Sequence, residues 1–140
     1  MINDDVKAAT KPKTEKQLSE LASQYLIAHV KAGNADLIQD WIEKGADVNY
    51  QDKHGMTALH HAAARGARPC IRALVNSGQC DYLVKDNENR YAYEIAIEWA
   101  KDYVVGRLLA KKQKQQALRR GVSAWVKHSK NLINLSDELE

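Results

Sequence analysis

The sequence of 140 residues contains no phenylalanine, two prolines and two cysteines. The scarcity of proline leaves most of the chain free to form helices. Cys70 and Cys80 are too few for a disulfide framework and do not match the spacing of paired zinc ligands. No apolar run approaches the length of a membrane span, and the amino end lacks the pattern of a signal peptide. We therefore expect a cytoplasmic protein with no membrane span, no metal and no cofactor.

Hydrophobic residues make up 44% of the chain, which is enough for a packed core, and alanine, leucine, isoleucine and valine supply most of them. The net charge of +3 conceals an asymmetry along the sequence. Residues 1–100 carry a net charge of −2, residues 101–130 carry +8, and residues 131–140 carry −3. The basic charge is thus a feature of the carboxy-terminal third.

The run that begins at Gly45 predicts a turn, a helix, a short turn and a second helix. Asp52 and Gly55 predict a tight turn, because aspartate bonds its own backbone and glycine accepts a positive φ. Thr57 is placed to cap the first helix, and Gly66 to end it. Apolar residues at helical spacing predict the two facing stripes of this helix pair: Leu59, Ala62, Ala63, Ile71, Leu74 and Val75.

Two altered copies of this unit flank it. The later one starts 34 residues on at Asp86, has Asn89 in place of the turn glycine and Ala100 in place of Gly66. Its stripes are predicted at Ala96, Val104, Val105, Leu108 and Leu109. The earlier copy keeps the two helices without the turn, with apolar residues at Leu26, Val30, Leu37, Ile38, Trp41 and Ile42. A capping box at Thr14–Gln17 predicts where its first helix begins.

This pattern resembles the ankyrin repeat, whose Thr-Pro-Leu-His motif is present at residues 57–60 with Ala58 in place of proline. The resemblance implies an all-α solenoid of stacked helix-turn-helix units with short β-hairpin-like loops. We expect an ankyrin-repeat domain over residues 14–111, with repeats at about 14–45, 46–78 and 79–111. Residues 1–13 are predicted to be a disordered tail.

Beyond Ala110 the repeat pattern stops and the chain is strongly basic up to Arg120. Gly121 is predicted to interrupt the helix, and apolar residues resume helical spacing after it at Val122, Trp125, Val126, Leu132 and Ile133. We expect an extra, basic capping helix over residues 112–135 and a frayed tail over residues 136–140.

The five histidines raise the question of a catalytic or metal site. His60 and His61 point to different sides of one helix, and neither has a partner at zinc-ligand spacing. The resemblance implies that His60 hydrogen-bonds the backbone between repeats. Cys70 is expected to be buried and Cys80 to be exposed in a loop. Because no nucleophile motif, phosphate loop or acid pair is present, the sequence does not predict an enzyme.

The resemblance places partner contacts on the loop tips and on the exposed side of the first helix of each repeat. Trp99, with Arg65 and Arg90 around it, is the predicted centre of binding, since Trp and Arg are frequent at interface cores. The alternative is that Trp99 packs beneath the terminal helix. An exposed Met56 is expected beside it. The complete predicted partner-binding set is Gln51, Lys53, His54, Met56, His61, Arg65, Lys85, Asn87, Glu88, Arg90, Ile95, Glu98 and Trp99.

The first functional hypothesis is therefore a monomeric, non-catalytic module that binds one protein on its concave face, as an inhibitor, immunity-type protein or adaptor. A bacterial effector that targets a host protein is a variant of it. The alternative is a nucleic-acid-associated regulator that uses the basic segment. That segment has two further interpretations, a solvated helix face or a contact with an acidic protein. Nucleic acid is not favoured, because no aromatic residue is interleaved with the lysines and arginines.

Overall fold

The structure is a computed structural model that describes the backbone of residues 14–128 and the side chains of residues 14–121. The predicted tails at 1–13 and 136–140, together with residues 129–135, lie outside the described residues. A short 3₁₀ turn at Ala35–Leu37 precedes the second helix. The helices are α1 (Glu15–Lys31), α2 (Ile38–Glu43), α3 (Ala58–Arg65), α4 (Arg68–Asn76), α5 (Ala92–Glu98) and α6 (Tyr103–His128).

The helices form three stacked pairs, α1 with α2, α3 with α4, and α5 with α6. The central first helix, α3, packs between α1 and α5. Ala62 and Ala63 on α3 are completely buried, and their small side chains allow this close approach. No strand occurs between residues 14 and 128. The predicted all-α solenoid is confirmed.

Two of the helix starts follow from local sequence signals. The Thr14 hydroxyl accepts a hydrogen bond from the Gln17 amide at 3.1 Å, and the Gln17 side chain accepts one from the Thr14 amide at 3.2 Å. At α3 the Thr57 hydroxyl accepts from the His60 amide at 3.3 Å. Both predicted caps are confirmed, because each satisfies an amide that the first helical turn leaves without a partner.

The loops before α3 and α5 are narrow and hairpin-like. Each is closed by a backbone hydrogen bond of 3.0 Å, from the Asp52 amide to the Met56 carbonyl and from the Asp86 amide to the Arg90 carbonyl. Gly55 (φ 75°) and Asn89 (φ 61°) provide the left-handed residue of each turn, as predicted.

The third repeat differs from the predicted register in its second helix. Lys101, with φ 55°, holds the left-handed position that Gly66 holds with φ 67° in the second repeat, whereas Ala100 was expected there. The third repeat thus has one residue more before its second helix than the second repeat has. As a result, the side of α6 that faces the core is shifted by one residue along the sequence. Val105 and Leu109 face the core as predicted, but Val104 and Leu108 are 68% and 43% exposed, so their assignment to the core stripe is wrong.

Helix α6 is much longer than its counterpart in the second repeat. It has 26 residues where α4 has 9, and it continues through Gly121 to His128 without a break. The predicted interruption at Gly121 is wrong, because a single glycine on an exposed helix costs only about 1 kcal/mol. The basic segment therefore begins as a direct extension of the third repeat.

Candidate functional site

Asp52 organises the loop of the second repeat. Its Oδ1 accepts hydrogen bonds from the amides of His54 (2.9 Å) and Met56 (3.0 Å), and its Oδ2 lies 2.7 Å from Nε2 of His61. Burial opposes the ionisation of Asp52, but these hydrogen bonds outweigh it and lower the pKa of the carboxyl. Burial also lowers the pKa of His61, although Asp52 opposes that shift. The loop is consequently fixed against α3 by a neutral imidazole and a carboxylate.

Asp86 has the same role in the third repeat with a different partner. Its Oδ1 accepts from the amides of Glu88 and Arg90 at 2.9 Å, and its Oδ2 lies 2.8 Å from Nη2 of Arg90. The guanidinium then lies over the ring of Trp99, 4.9 Å from the ring centroid. Burial of Asp86 is outweighed by these bonds, so that its pKa is lowered. The result is a flat Arg90–Trp99 platform anchored to a buried carboxylate.

His60 joins the two loops through the core. Its Nδ1 lies 2.8 Å from the Thr57 hydroxyl and accepts a hydrogen bond from the Thr57 amide, so its Nε2–H donates to the Arg90 carbonyl at 3.0 Å. The implied hydrogen bond of His60 between repeats is confirmed. Burial lowers the pKa of His60, in agreement with a neutral ring.

The tips of the loops are also connected to each other directly. The amide of Asn87 donates to the carbonyl of His54 at 3.0 Å, and its side chain donates to the carbonyl of Lys53 at 2.9 Å. The side chain of Gln51 donates to the carbonyl of Lys85 at 3.0 Å. Both loops are therefore held in one rigid arrangement with their outer side chains directed to solvent.

We call the surface formed by these two loops and by the exposed sides of α1, α3 and α5 the loop face. His61 and Arg90 are half-buried within it because they bind the turn carboxylates. The predicted binding residues that are exposed on it are Gln51, Lys53, His54, Arg65, Lys85, Asn87, Glu88, Glu98 and Trp99.

Two residues of the predicted set do not belong to this surface. Met56 is only 7% exposed, because it follows the turn into the core, and its amide is bound to Asp52. Ile95 is completely buried, because it lies with Ala92 and Ala96 on the side of α5 that packs against the neighbouring helices. The expectation that these two side chains are exposed is wrong.

Trp99 lies on the surface rather than beneath the terminal helix. Its side chain is 53% exposed, with only Arg90 stacked against it among the ring contacts of the described residues. Arg65 is directed elsewhere, because its guanidinium lies beside Gly33 of the first repeat. A Cβ added at Gly33 would lie 3.2 Å from Nη2 of Arg65. Of the two arginines predicted around Trp99, therefore, Arg90 contacts the ring and Arg65 extends toward the first repeat.

The loop face also extends onto the first repeat, which sequence reasoning missed. A cleft of about 360 Å³ is lined by Gln24, Lys31 and Tyr50 together with Asp52, Lys53 and His54. The Gln24 amide donates to the Tyr50 hydroxyl at 3.3 Å across it. The available signal was that α1 is itself the first helix of a repeat, but the predicted partner-binding set includes no residue of α1.

The thiols lie away from this surface. Cys70 and Cys80 are both buried, and burial raises the pKa of Cys80 to about 12. The Sγ of Cys80 donates to the Leu74 carbonyl at 3.3 Å. The expected exposure of Cys80 is wrong, because its loop folds back onto the end of α4.

Residues 14–121 present no set of three or more histidine, cysteine, aspartate or glutamate side chains placed to hold a metal ion. Among the helices of the described part of the chain, none combines the length and apolar character needed to cross a membrane.

Comparison with known proteins agrees with this architecture. A family model for ankyrin repeats in three copies matches residues 26–119. The chain is 36% identical over 70 residues to the E3 ubiquitin-protein ligase KEG of Arabidopsis thaliana, which covers 50% of this chain and 4% of that protein. It is 35% identical over 85 residues to the potassium channel AKT2/3 of the same plant, covering 60% and 10%.

A third relative is the putative ankyrin repeat protein R664 of Acanthamoeba polyphaga mimivirus. Identity is 34% over 74 residues, which is 53% of this chain and 45% of that protein. The chain thus spans less than half the length of each of these three relatives.

Proposed function

Because the chain belongs to the ankyrin-repeat family, whose repeats are general protein–protein interaction modules, we propose that it binds one partner protein through the loop face. In this proposal it acts without catalysis as an inhibitor, immunity-type protein or adaptor. The protein works in the cytoplasm as a monomer, with both cysteines reduced.

The observation that carries the proposal is the Arg90–Trp99 platform. Tryptophan and arginine are two of the three residue types that are enriched among binding hot spots, and here an exposed tryptophan lies beside an arginine. Asp86 holds the guanidinium in place before any partner arrives, so little side-chain entropy is lost on binding. The hydrogen bonds between the loops fix the neighbouring contacts in the same way.

The mechanism is complementarity with a rigid surface. The partner would cover the ring of Trp99 and take hydrogen bonds or ion pairs from the loop tips, where Lys53, His54 and Lys85 alternate with Asn87 and Glu88. Since charged groups of both signs are interspersed, the surface favours a partner with a mixed polar rim and an apolar centre.

The test is capture of partners from the source cell with the tagged protein, followed by quantitative mass spectrometry. The double variant Trp99→Ala/Arg65→Ala is expected to lose the specific partner, with a loss of affinity of about tenfold or more. Leu118→Ala is the matched control, because Leu118 is a similarly exposed apolar residue on α6, outside the loop face. Retention of every partner by the double variant would overturn the proposal.

A further inference from the structure

A groove runs between α4 and α6, in the second-helix layer and separate from the loop face. Its apolar floor is formed by Ile71, Val75, Val104 and Leu108, and it encloses about 390 Å³. We infer that this α4–α6 groove binds an amphipathic, acidic helix of a partner protein. The inference concerns a second interaction surface and does not depend on a partner at the loop face.

The groove is apolar because of the additional residue between α5 and α6. That residue directs Val104 and Leu108 outward, where they are 68% and 43% exposed. Tyr103 lies beside them on the next ridge of α6 and is also exposed. Contiguous exposed apolar side chains of this kind mark interaction sites more often than isolated ones do.

The borders of the groove are basic. Arg72 and Lys112 line it, and Arg107 and Lys111 lie on the adjoining surface of α6. None of these four cations forms a salt bridge within residues 14–121. The carboxylate of Asp102, just before α6, is already bound by Arg68 through two hydrogen bonds of 2.9 Å. The surface therefore presents four positive charges with no acidic partner among residues 14–121.

An apolar floor between these four cations determines the chemistry of the occupant. A helix with apolar residues at spacing three and four would place them on the floor, as in other helix-in-groove complexes. Glutamates or aspartates on both sides of that stripe would then reach the cations. A membrane surface fits less well, because Ile71 and Val75 lie in a recess between two helices, which a helix can fill and a flat lipid surface cannot.

The experiment uses the full chain and a fluorescent peptide of about 14 residues, or four helical turns, with leucines at spacing three and four and glutamates beside them. A peptide of the same composition in scrambled order is the first control. Binding is measured by fluorescence anisotropy at two salt concentrations. We expect binding of the patterned peptide that weakens as salt is raised and is at least about tenfold tighter than that of the scrambled peptide.

Variants then locate the binding. Leu108→Lys and Val104→Lys each place a charge on the floor at an exposed position, and each is expected to weaken binding by about tenfold. Arg107→Glu/Lys111→Glu should do the same by reversing charge at the border. Lys114→Glu makes the same type of charge change on the same helix outside the groove and should have much less effect. Circular dichroism melts confirm that each variant is folded, and the two floor variants serve as checks on each other.

Several outcomes would overturn the inference. Failure of the patterned peptide to bind, or equal binding by all variants, removes the groove as its site. Binding of phosphatidylserine vesicles that is lost in Leu108→Lys, without peptide binding, assigns the surface to membranes. Self-association in sedimentation that is lost in the same variant assigns it to a second copy. Tighter peptide binding by Asp137→Lys/Glu138→Lys would show that this chain's own acidic segment occupies the groove.

Discussion

The second and third repeats have the same backbone turns and the same bound turn carboxylate, but different residues form them. In the second, glycines hold both left-handed positions, at Gly55 and Gly66, and a histidine binds the turn carboxylate. In the third, Asn89 and Lys101 hold those positions, and Arg90 binds the carboxylate. The backbones correspond, but the surfaces do not.

The difference between the two repeats shows which of them supplies the surfaces proposed to bind partners. The second repeat keeps its family pattern and supplies the most buried part of the stack. The third departs from it, and each departure creates surface chemistry: Arg90 forms a platform with Trp99, and the extra residue before α6 exposes Val104 and Leu108. The following predictions test this contrast, from the largest expected effect to the smallest.

The largest effect is expected from the helix position that His60 holds in the second repeat and Glu94 in the third. His60→Ala should lower the free energy of unfolding by about 3 kcal/mol, because it leaves a cavity in the core and removes the hydrogen bonds of the ring to the Arg90 carbonyl and the Thr57 amide. Glu94→Ala should cost about 0.5 kcal/mol, since its carboxylate only accepts from the Tyr91 amide at a helix start. Urea unfolding measures both. Equal losses would contradict the ranking of the two repeats.

Substitution of the left-handed turn residue should likewise cost more stability in the second repeat than in the third. Gly55→Ala is expected to cost about 2 kcal/mol, because alanine is strained at this φ and its Cβ would collide with the backbone of Asn87. Asn89→Ala should cost less than about 1 kcal/mol, since the turn of the third repeat already accommodates a side chain. Thermal melts of the two variants measure both losses of stability. If Gly55→Ala is as stable as the unaltered protein, the loops are not stacked as described.

Acidification should destabilise the protein in two stages. His60 and His61 have pKa values lowered from 6.5, so below that pH the unfolded chain binds more protons and stability falls, by up to about 1.4 kcal/mol per pH unit and histidine. Asp52 and Asp86 have pKa values lowered from 3.8, so their contribution is present above that pH and is lost below it.

Urea unfolding at a series of pH values measures this decline. His61→Gln should reduce the first stage, because glutamine can still donate to Asp52 but does not titrate. An unaltered first stage in His61→Gln would refute the assignment to His61.

The smallest effects concern the ends of the first helices. Gly66→Ala should cost about 1 kcal/mol, because alanine is disfavoured at φ 67°. Lys101→Gly should raise stability by about 0.5 kcal/mol, since it relieves φ 55° but adds freedom to the unfolded chain. Differential scanning calorimetry should therefore show a lower melting temperature for Gly66→Ala and a higher one for Lys101→Gly. A loss of stability in Lys101→Gly would place the register of α6 in doubt.

Much of the fold could be predicted because its signals are local. The Asp52 turn, the Thr57 cap and the role of His60 each depend on residues within one or two turns of chain, and the repeat pattern supplies the stacking. The additional residue before α6 could not be located in this way. Neither Ala100 nor Lys101 is a glycine, so the sequence does not mark which of them takes the left-handed conformation.

The candidate site was less predictable, because exposure depends on packing between repeats. Met56 and Ile95 align with exposed positions of the family but pack into the core, while Cys80 is covered by the end of α4. Conversely, Gln24 and Tyr50 join the loop face only because α1 stacks beside α3. Such contacts are properties of the assembled stack rather than of any one segment.

The most direct test of the central claim is hydrogen–deuterium exchange of the protein with and without its captured partner. If the loop face binds the partner, protection should increase in residues 50–56 and 84–91 and around Trp99, while the amides of α4 remain unchanged. Protection confined to α4 and α6, with the two loops exchanging as in the free protein, would contradict it.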